Sequence, residues 1–257
     1  RTEILDTEEE ILVEDLIQKE DVVITATYSG YIKQTSLALY RSQARGGIGV
    51  KGVNVSDDDL IEHMFITNNH STLLFFTNKG KVHWLKAYQI PPGSRIAKGK
   101  AVVNLINLDK DEKLNAILPL SIFNSQHYLI FVTKKGLLKK TSLEEYSRPR
   151  HGGIKAINIR DNDELVSVRL TPGNLEFILA SKNGQAIKFN ENDVRQMGRN
   201  ATGVRGIKLR GDDEVVGMEV ALKNATLLTV TENGFGKRTD MDDYRLIRRG
   251  GSGVINI

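Results

Sequence analysis

A short motif recurs five times along the chain and constrains its fold more than any other feature. Each copy is an apolar segment, a Thr or Ser, two mostly polar residues and a glycine, followed by a second β-rich segment. The glycines are Gly30, Gly80, Gly136, Gly184 and Gly234, separated by 50, 56, 48 and 50 residues. A short loop ending in glycine between two such segments predicts a β-hairpin, because glycine adopts positive φ without steric cost. The chain is therefore predicted to be an array of hairpin repeats.

Two further landmarks follow each hairpin. A tyrosine stands at Tyr40, Tyr88, Tyr146 and Tyr244, with Val194 in its place in the fourth copy. A loop rich in glycine and arginine comes next. A short alternating segment closes each repeat, and it predicts a strand at Val53–Val55, Val103–Leu105, Ile157–Ile159, Ile207–Leu209 and Ile255–Ile257.

Repeats of this length with about four strands each have the size of a propeller blade, and helical periodicity is sparse. The sequence therefore predicts an all-β fold. We expect a linker remnant at residues 1–10 and a single domain at 11–257. Its five visible blades are expected at about 11–59, 60–112, 113–163, 164–213 and 214–257.

Composition narrows the classes of function. Hydrophobic residues make up 40% of the 257 residues, so a core can be buried, and no apolar run approaches the roughly 20 residues that span a bilayer. The absence of cysteine excludes a disulfide scaffold, a cysteine nucleophile and a thiolate metal site, and suits a cytoplasmic location. The net charge of +4 says little until its distribution is considered.

Charge is sorted within every repeat. Acidic residues cluster a few residues after each loop, at 57–59, 109–112, 161–164 and 212–214, and we expect solvated turns there rather than Mg²⁺ ligands. The loops themselves are basic. They contain Arg41, Arg45 and Lys51; Arg95, Lys98 and Lys100; Arg148, Arg150, His151 and Lys155; Arg195, Arg199, Arg205, Lys208 and Arg210; and Arg245, Arg248 and Arg249.

Taken alone, any one of these loops is most simply interpreted as a solvated turn. Five at matched positions predict a continuous basic track for a polyanion, and duplex DNA fits because its phosphates are closely spaced. Glycine beside arginine lets backbone N–H groups approach phosphate oxygens. Six basic residues on hairpin strands are candidates to extend the track: Lys33, Lys139, Lys140, Lys188, Lys237 and Arg238.

The first basic loop, Gln43-Ala44-Arg45-Gly46-Gly47-Ile48-Gly49, resembles the heptapeptide Gln-Arg-Arg-Gly-Gly-Lys-Gly that marks the C-terminal domain family of the DNA gyrase A protein. Two charges of that motif are missing, at Ala44 and Ile48. The stretches Arg195–Arg199, Thr202–Ile207 and Gly234–Thr239 resemble the family too, and the likeness covers essentially the whole chain. The fifth loop, with Arg248 and Arg249, is a partial second copy of the heptapeptide.

The resemblance implies a β-pinwheel, a propeller-like disc of strand-exchanging blades, with one blade beyond the five visible here. It implies that DNA wraps around the rim with positive handedness, which enables negative supercoiling by DNA gyrase, a type II topoisomerase. The DNA-binding candidates are then Arg41, Gln43, Arg45, Gly46, Gly47, Gly49, Lys51, Arg95, Lys98, Lys100, Arg148, Arg150, His151, Lys155, Arg195, Arg199, Arg205, Lys237, Arg238, Arg245, Arg248 and Arg249.

The resemblance also implies partners. These are double-stranded DNA, the N-terminal breakage-reunion part of the gyrase A protein and the gyrase B protein, in a cytoplasmic, chromosome-associated A2B2 enzyme. Cofactors are expected elsewhere in that enzyme, where ATP and Mg²⁺ act. Within this chain we expect no catalytic and no metal-binding residues: the histidines are scattered, no phosphate-binding GxxxxGK[ST] loop occurs, and a tyrosine repeated in each unit indicates packing rather than nucleophilic chemistry.

Three alternatives remain. The first is the C-terminal domain of the topoisomerase IV protein related to gyrase A, which binds DNA with little wrapping. The second is a protein-binding propeller of kelch type, which predicts an aromatic and apolar face rather than a basic track. The third is an enzyme on a propeller scaffold, which requires converging carboxylates or histidines that the sequence does not reveal.

Overall fold

The structure is a computed structural model that describes residues 13–40 and 59–257. Strands are joined there by turns and by short 3₁₀ segments at Val13–Leu16, Leu37–Leu39, Ala87–Gln89, Val102–Asn104, Leu143–Tyr146, Glu191–Asp193 and Met241–Asp243. The chain divides into two compact units. One takes in the described residues up to Thr72 with Leu85–Leu105, and the other comprises Leu73–Trp84 and Ile106–Ile257.

The first unit contains one sheet of four antiparallel strands: β1 (Asp21–Thr27), β2 (Tyr31–Ser36), β3 (Ile61–Asn68) and, after two strands of the next sheet, β6 (Lys100–Ala101). The order is β3-β1-β2-β6. The hairpin β1–β2 pairs Ala26 with Ile32 across its turn. Its flanking strands, β3 and β6, both come from the next repeat.

The other sheets lie in the second unit, apart from the end residues of two strands. Their strands are β4 (Thr72–Thr77), β5 (Lys81–Lys86), β7 (Leu114–Leu120), β8 (Tyr128–Thr133), β9 (Leu137–Ser142), β10 (Ile154–Lys155), β11 (Leu165–Thr171), β12 (Glu176–Ser181), β13 (Gln185–Asn190), β14 (Val204–Arg205), β15 (Val215–Val220), β16 (Thr226–Val230), β17 (Gly236–Asp240) and β18 (Val254–Ile255). Thr72 at the start of β4 and Leu85 and Lys86 at the end of β5 belong to the first unit.

The sheet orders repeat the pattern of the first unit. They are β10-β5-β4-β7, β11-β8-β9-β14 and β15-β12-β13-β18, so each sheet takes a hairpin from one repeat and both flanking strands from the next. In the second unit, the third, fourth and fifth repeats are each divided between two sheets, which ties neighbouring repeats together through backbone hydrogen bonds. The fifth hairpin, β16–β17, forms a two-stranded sheet within the described residues.

The hairpin prediction is confirmed at all five glycines. Gly30, Gly80, Gly136, Gly184 and Gly234 have φ between 78° and 82° and end their turns. The β-rich segments on either side of Gly80, for example, form β4 and β5. The all-β prediction is confirmed as well.

The predicted short closing strands are displaced. Residues 103–105, 157–159 and 207–209 lie outside the strands, and the exchanged strands β6, β10 and β14 begin three residues earlier. Only β18 overlaps its predicted range, and Val53–Val55 lies outside the described residues. The alternating apolar pattern predicted roughly where each exchanged strand lies. The register of its pairing depends on the hairpin of another repeat, so the sequence of the strand alone does not determine it.

The core of the second unit lies between its sheets. Alternate residues of a strand face opposite sides, and β8 is apolar on both. Leu129 and Phe131 join a cluster with Phe76 and Tyr146, whereas Ile130 and Val132 join one with Phe177 and Phe189. Phe76 and Phe131 meet edge to face with ring centroids 5.6 Å apart. Each sheet therefore buries apolar surface against the next, as stacked repeats must.

Candidate nucleic-acid interface

A positive-φ glycine precedes each exchanged strand. Gly99, Gly153, Gly203 and Gly253 have φ values of 93°, 72°, 104° and 74°. A Cβ at any of them would lie within 3 Å of a carbonyl oxygen in the hairpin that receives the strand, at Ile32, Val82, Leu138 and Ala186 respectively. The basic loop is thus pinned against its neighbour at this point, where only glycine fits.

An arginine stands four residues before three of these glycines, at Arg95, Arg199 and Arg249, and all three are half-buried. The third repeat has Pro149 at this position, with the exposed Arg148 and Arg150 on either side. In the sequence, Arg45 stands in the same relation to Gly49. These two and the rest of the predicted heptapeptide loop, with Arg41, Gln43, Gly46, Gly47 and Lys51, lie outside the described residues.

In two repeats, a buried lysine donates hydrogen bonds to the backbone carbonyl of this arginine. Lys33 Nζ donates to the carbonyl of Ser94 at 3.0 Å and to that of Arg95. Lys139 Nζ donates to the carbonyl of Arg199 at 2.6 Å and to that of Ala156 at 2.5 Å. Burial, with the nearby charge of Arg199, lowers the pKa of Lys139 to about 7, and burial also lowers the pKa of Lys33.

These contacts correct the prediction for four hairpin lysines. Lys33, Lys139, Lys140 and Lys188 are between 0% and 8% exposed, so they are not candidates to extend a surface track. Lys140 Nζ pairs with Glu191 at 2.8 Å, and Lys188 Nζ donates to the carbonyl of Met241 at 2.9 Å. Their side chains point from the hairpin strands toward the core and the loop of the next repeat.

Some of the remaining predicted residues make contacts within the chain, and most of them are exposed to solvent. Arg249 Nε donates to the carbonyl of Asp193 at 2.7 Å. Lys98 Nζ lies 4.0 Å from the centroid of the Tyr31 ring, and Lys155 Nζ bonds Asn158. The exposed residues are Lys98, Lys100, Arg148, Arg150, His151, Lys155, Arg195, Arg205, Lys237, Arg238, Arg245 and Arg248. Their contact with a ligand remains a prediction.

The predicted solvated acidic turns are wrong in one respect. One acid in each cluster is buried: Asp59, Glu112, Asp163 and Asp213. Asp213, for example, accepts hydrogen bonds from the Asn183 and Glu214 N–H groups, both at 2.9 Å, and from Ser181 Oγ at 2.6 Å. Each acid therefore fixes a hairpin turn far upstream, and the Thr or Ser of the recurring motif is its partner in two repeats.

Two of the repeated tyrosines are packing residues, as expected. Tyr146 is fully buried and its hydroxyl donates to the carbonyl of Ala156 at 3.0 Å, while burial raises its pKa. Tyr244 is 4% exposed and its hydroxyl bonds Asn256 Oδ1. Val194 fills the same corner in the fourth repeat.

Hairpin repeats with exchanged strands and arginine-bearing loops define a propeller-type all-β domain. Residues 21–68, 71–121, 127–172, 175–221 and 225–257 match the family described as DNA gyrase C-terminal domain, beta-propeller, and the chain belongs to that family.

Relatives agree with this membership. The chain is 50% identical over 190 residues to the DNA gyrase A protein of Halalkalibacterium halodurans, covering 74% of this chain and 23% of the relative. It thus spans about a quarter of such relatives. A solved gyrase A C-terminal domain superposes with a TM-score of 0.74 at 30% identity, over 91% of this chain and 76% of the other. The C-terminal domain of DNA topoisomerase IV gives 0.78 at 31%, over 93% and 73%. No helix in the described ranges is long and apolar enough to cross a membrane.

Proposed function

We propose that this chain binds duplex DNA without sequence specificity and bends it, with its basic loops contacting phosphates. The observation that carries the proposal is the arginine four residues before the pinned glycine, at Arg95, Arg199 and Arg249. A guanidinium is a planar fork that matches phosphate geometry. Because the loop backbone is fixed by glycine and, in two repeats, by a buried lysine, the arginine is presented from a rigid base.

Wrapping follows from repetition of that contact. Bending a short DNA segment costs about 1–6 kcal/mol, so contacts from several repeats are needed to offset it. The heptapeptide loop with Arg45 is proposed to anchor the wrap at the first repeat, with two charges fewer because of Ala44 and Ile48. Membership in the gyrase family supports a wrap of positive handedness that enables negative supercoiling.

Within the full enzyme, this chain is proposed to deliver DNA rather than to cleave it. The gyrase B protein and the breakage-reunion part of the gyrase A protein would perform the ATP- and Mg²⁺-dependent steps in a cytoplasmic, chromosome-associated A2B2 assembly. The full-length gyrase A relatives support that placement.

A salt titration tests the binding. The affinity for a labelled duplex should fall with a slope of about 0.9 in log–log terms for each phosphate neutralised. Arg45→Ala and Arg95→Ala should each weaken binding and lower the slope by about one. Lys223→Ala, which removes an exposed cation outside the basic loops, is the matched control. A flat salt dependence would refute phosphate binding.

A topology assay tests the wrap and separates the second candidate. The structural likeness to the C-terminal domain of topoisomerase IV favours that alternative, which predicts DNA binding with little wrapping. A nicked circle is ligated with the chain bound and then stripped of protein. Positive writhe supports a gyrase-type wrap, and loss of it in Arg45→Ala would assign the anchoring role to the heptapeptide loop. No change in linking number favours topoisomerase IV.

A further inference from the structure

A cavity of about 590 Å³ lies between the basic loops of the third and fourth repeats. Three arginine side chains line it: Arg148 and Arg150 from the third repeat and Arg199 from the fourth. Neutral hydrogen-bonding groups contribute to the same wall, among them Ser142 and Gln196. Converging guanidinium groups of this kind suit an anion, because each brings several donors and a full charge.

Two carboxylates, Glu144 and Glu145, also line this cavity, and within the described residues it is Glu145 that makes an ion pair with one of the arginines. Glu145 Oε2 lies 3.6 Å from Arg199 Nε, with side-chain exposures of 48% and 34%. A long, single, solvent-exposed contact of this kind is a weak ion pair. Arg148 and Arg150 make no ion pair within the described part of the chain. The three arginines therefore outnumber the two carboxylates that line the cavity, and one arginine of the three is engaged in an ion pair within the described residues.

The wall that carries Arg199 is fixed in place by β9. Lys139 Nζ donates to the Arg199 carbonyl at 2.6 Å, and the Met197 N–H donates to the Lys140 carbonyl at 2.8 Å. The backbone around the arginine is thus anchored at two points, while its guanidinium group stays beside the cavity. A site built this way needs little reorganisation when it binds.

The equivalent arginine of the fifth repeat is engaged differently. Arg249 donates Nε to the Asp193 carbonyl at 2.7 Å and Nη1 to the Arg205 carbonyl at 3.1 Å. Two of its donors are satisfied by backbone carbonyls, whereas the contact of Arg199 is a carboxylate that an incoming anion can replace. The junction of the third and fourth repeats therefore differs from the next one along the chain.

We infer that this cavity seats a backbone phosphate of duplex DNA and that Glu145 competes with the phosphate for Arg199. The inference rests on the proposed function and adds a regulator of affinity to it. Arg148 and Arg150 contact the phosphate from one side and Arg199 from the other. Glu145 lowers the affinity in the free chain because its contact with Arg199 must break when DNA binds.

The experiment is a double-mutant cycle on the 257-residue chain, measured by titration with a labelled duplex at low salt. Glu145→Gln should tighten binding about two- to fivefold, the worth of an exposed ion pair. Glu144→Gln removes the same charge from another residue that lines the cavity but that has no ion pair with Arg199, so it is the matched control and should change the affinity less. In an Arg199→Ala background, Glu145→Gln should have no effect, because the pair no longer exists.

The outcomes separate the two claims. Equal tightening by Glu145→Gln and Glu144→Gln, or an effect of Glu145→Gln that survives Arg199→Ala, would overturn the competition and leave only a general field effect. If Arg148→Ala, Arg150→Ala and Arg199→Ala each bind the duplex as tightly as the wild type, the cavity is not a phosphate-binding site, and that claim alone is overturned. Absence of salt-dependent binding by the wild-type chain would instead overturn the proposed function. Thermal melting of each variant excludes unfolding as a cause.

Discussion

The ammonium group of Lys139 is buried in one repeat and donates a hydrogen bond to the backbone carbonyl of Arg199 in the next, 2.6 Å away. Lys33 holds the carbonyl of Arg95 in the same way. Lysine and arginine, which are similar as charges, therefore have different roles here. The lysine supports the loop, and the arginine is placed to meet a ligand.

Lys139→Met is expected to lower the free energy of unfolding by about 1–3 kcal/mol, because the Arg199 carbonyl loses its ammonium donor in a buried setting. The Ala156 carbonyl keeps the donor Tyr146 Oη, so the loss is concentrated on the loop. Urea denaturation measures the effect. Lys135→Met makes the same chemical change at an exposed position and should stay within about 0.5 kcal/mol. Similar losses in both variants would contradict a special role for Lys139.

The lowered pKa of Lys139 makes stability depend on pH. The pKa is about 7 in the folded chain against 10.5 for an ordinary lysine, so between these values the unfolded chain binds more protons. Stability should therefore rise with pH above 7, by up to about 1.4 kcal/mol per pH unit from this residue. The charges of Arg199 and Glu145 face the same group, where Arg199 lowers and Glu145 raises the pKa of Lys139. Denaturation at pH 7–9 should show the rise in wild type and not in Lys139→Met.

The repeat and its hairpins could be predicted from sequence because their signals are local. A glycine three residues after a Thr or Ser fixes the turn, and the structure places Gly80 and Gly136 at φ 78° as that reading requires. The buried tyrosine corner followed from the same periodicity, since Tyr146 and Tyr244 recur at one position of the unit.

The roles of Lys33 and Asp213 could not be predicted because their partners are distant in sequence. Lys33 lies on an ordinary hairpin strand, and what covers it is a loop about 60 residues later. Asp213 follows the exposed Asp212, and one of the two N–H groups it accepts from is that of the distant Asn183. The environment of Lys33 comes from the loop of the next repeat, which one repeat alone does not contain, and that of Asp213 comes from a hairpin 30 residues upstream.

Asp213→Ala is expected to destabilise the fourth hairpin. Its carboxylate accepts from two backbone N–H groups and one hydroxyl, all of which lose a partner. Loss of such contacts should cost about 1–3 kcal/mol. The neighbouring Asp212→Ala removes an exposed carboxylate and is the control. Calorimetric melting should separate the two variants, and matching melting temperatures would show that the Asp213 cap is unimportant.

Gly203→Ala tests whether the basic loop must be pinned for the chain to hold DNA. Gly203 has φ 104°, and a Cβ there would clash with the Leu138 carbonyl, so alanine forces the loop away from the hairpin that receives β14. Strain of this kind costs about 1–3 kcal/mol. Gly198→Ala lies in the same loop, where a Cβ meets nothing within 4 Å, and should be nearly neutral.

Hydrogen exchange at Val204 and Arg205, which pair with Leu138 and Leu137, reports the local opening. Exchange there should quicken in Gly203→Ala and not in Gly198→Ala, and the affinity for duplex DNA should fall in parallel, because Arg199 loses its fixed base. If the loop opens while DNA affinity is unchanged, the rigid presentation of the arginine is not what determines binding, and the phosphate contacts must come from residues that move independently of the exchanged strand.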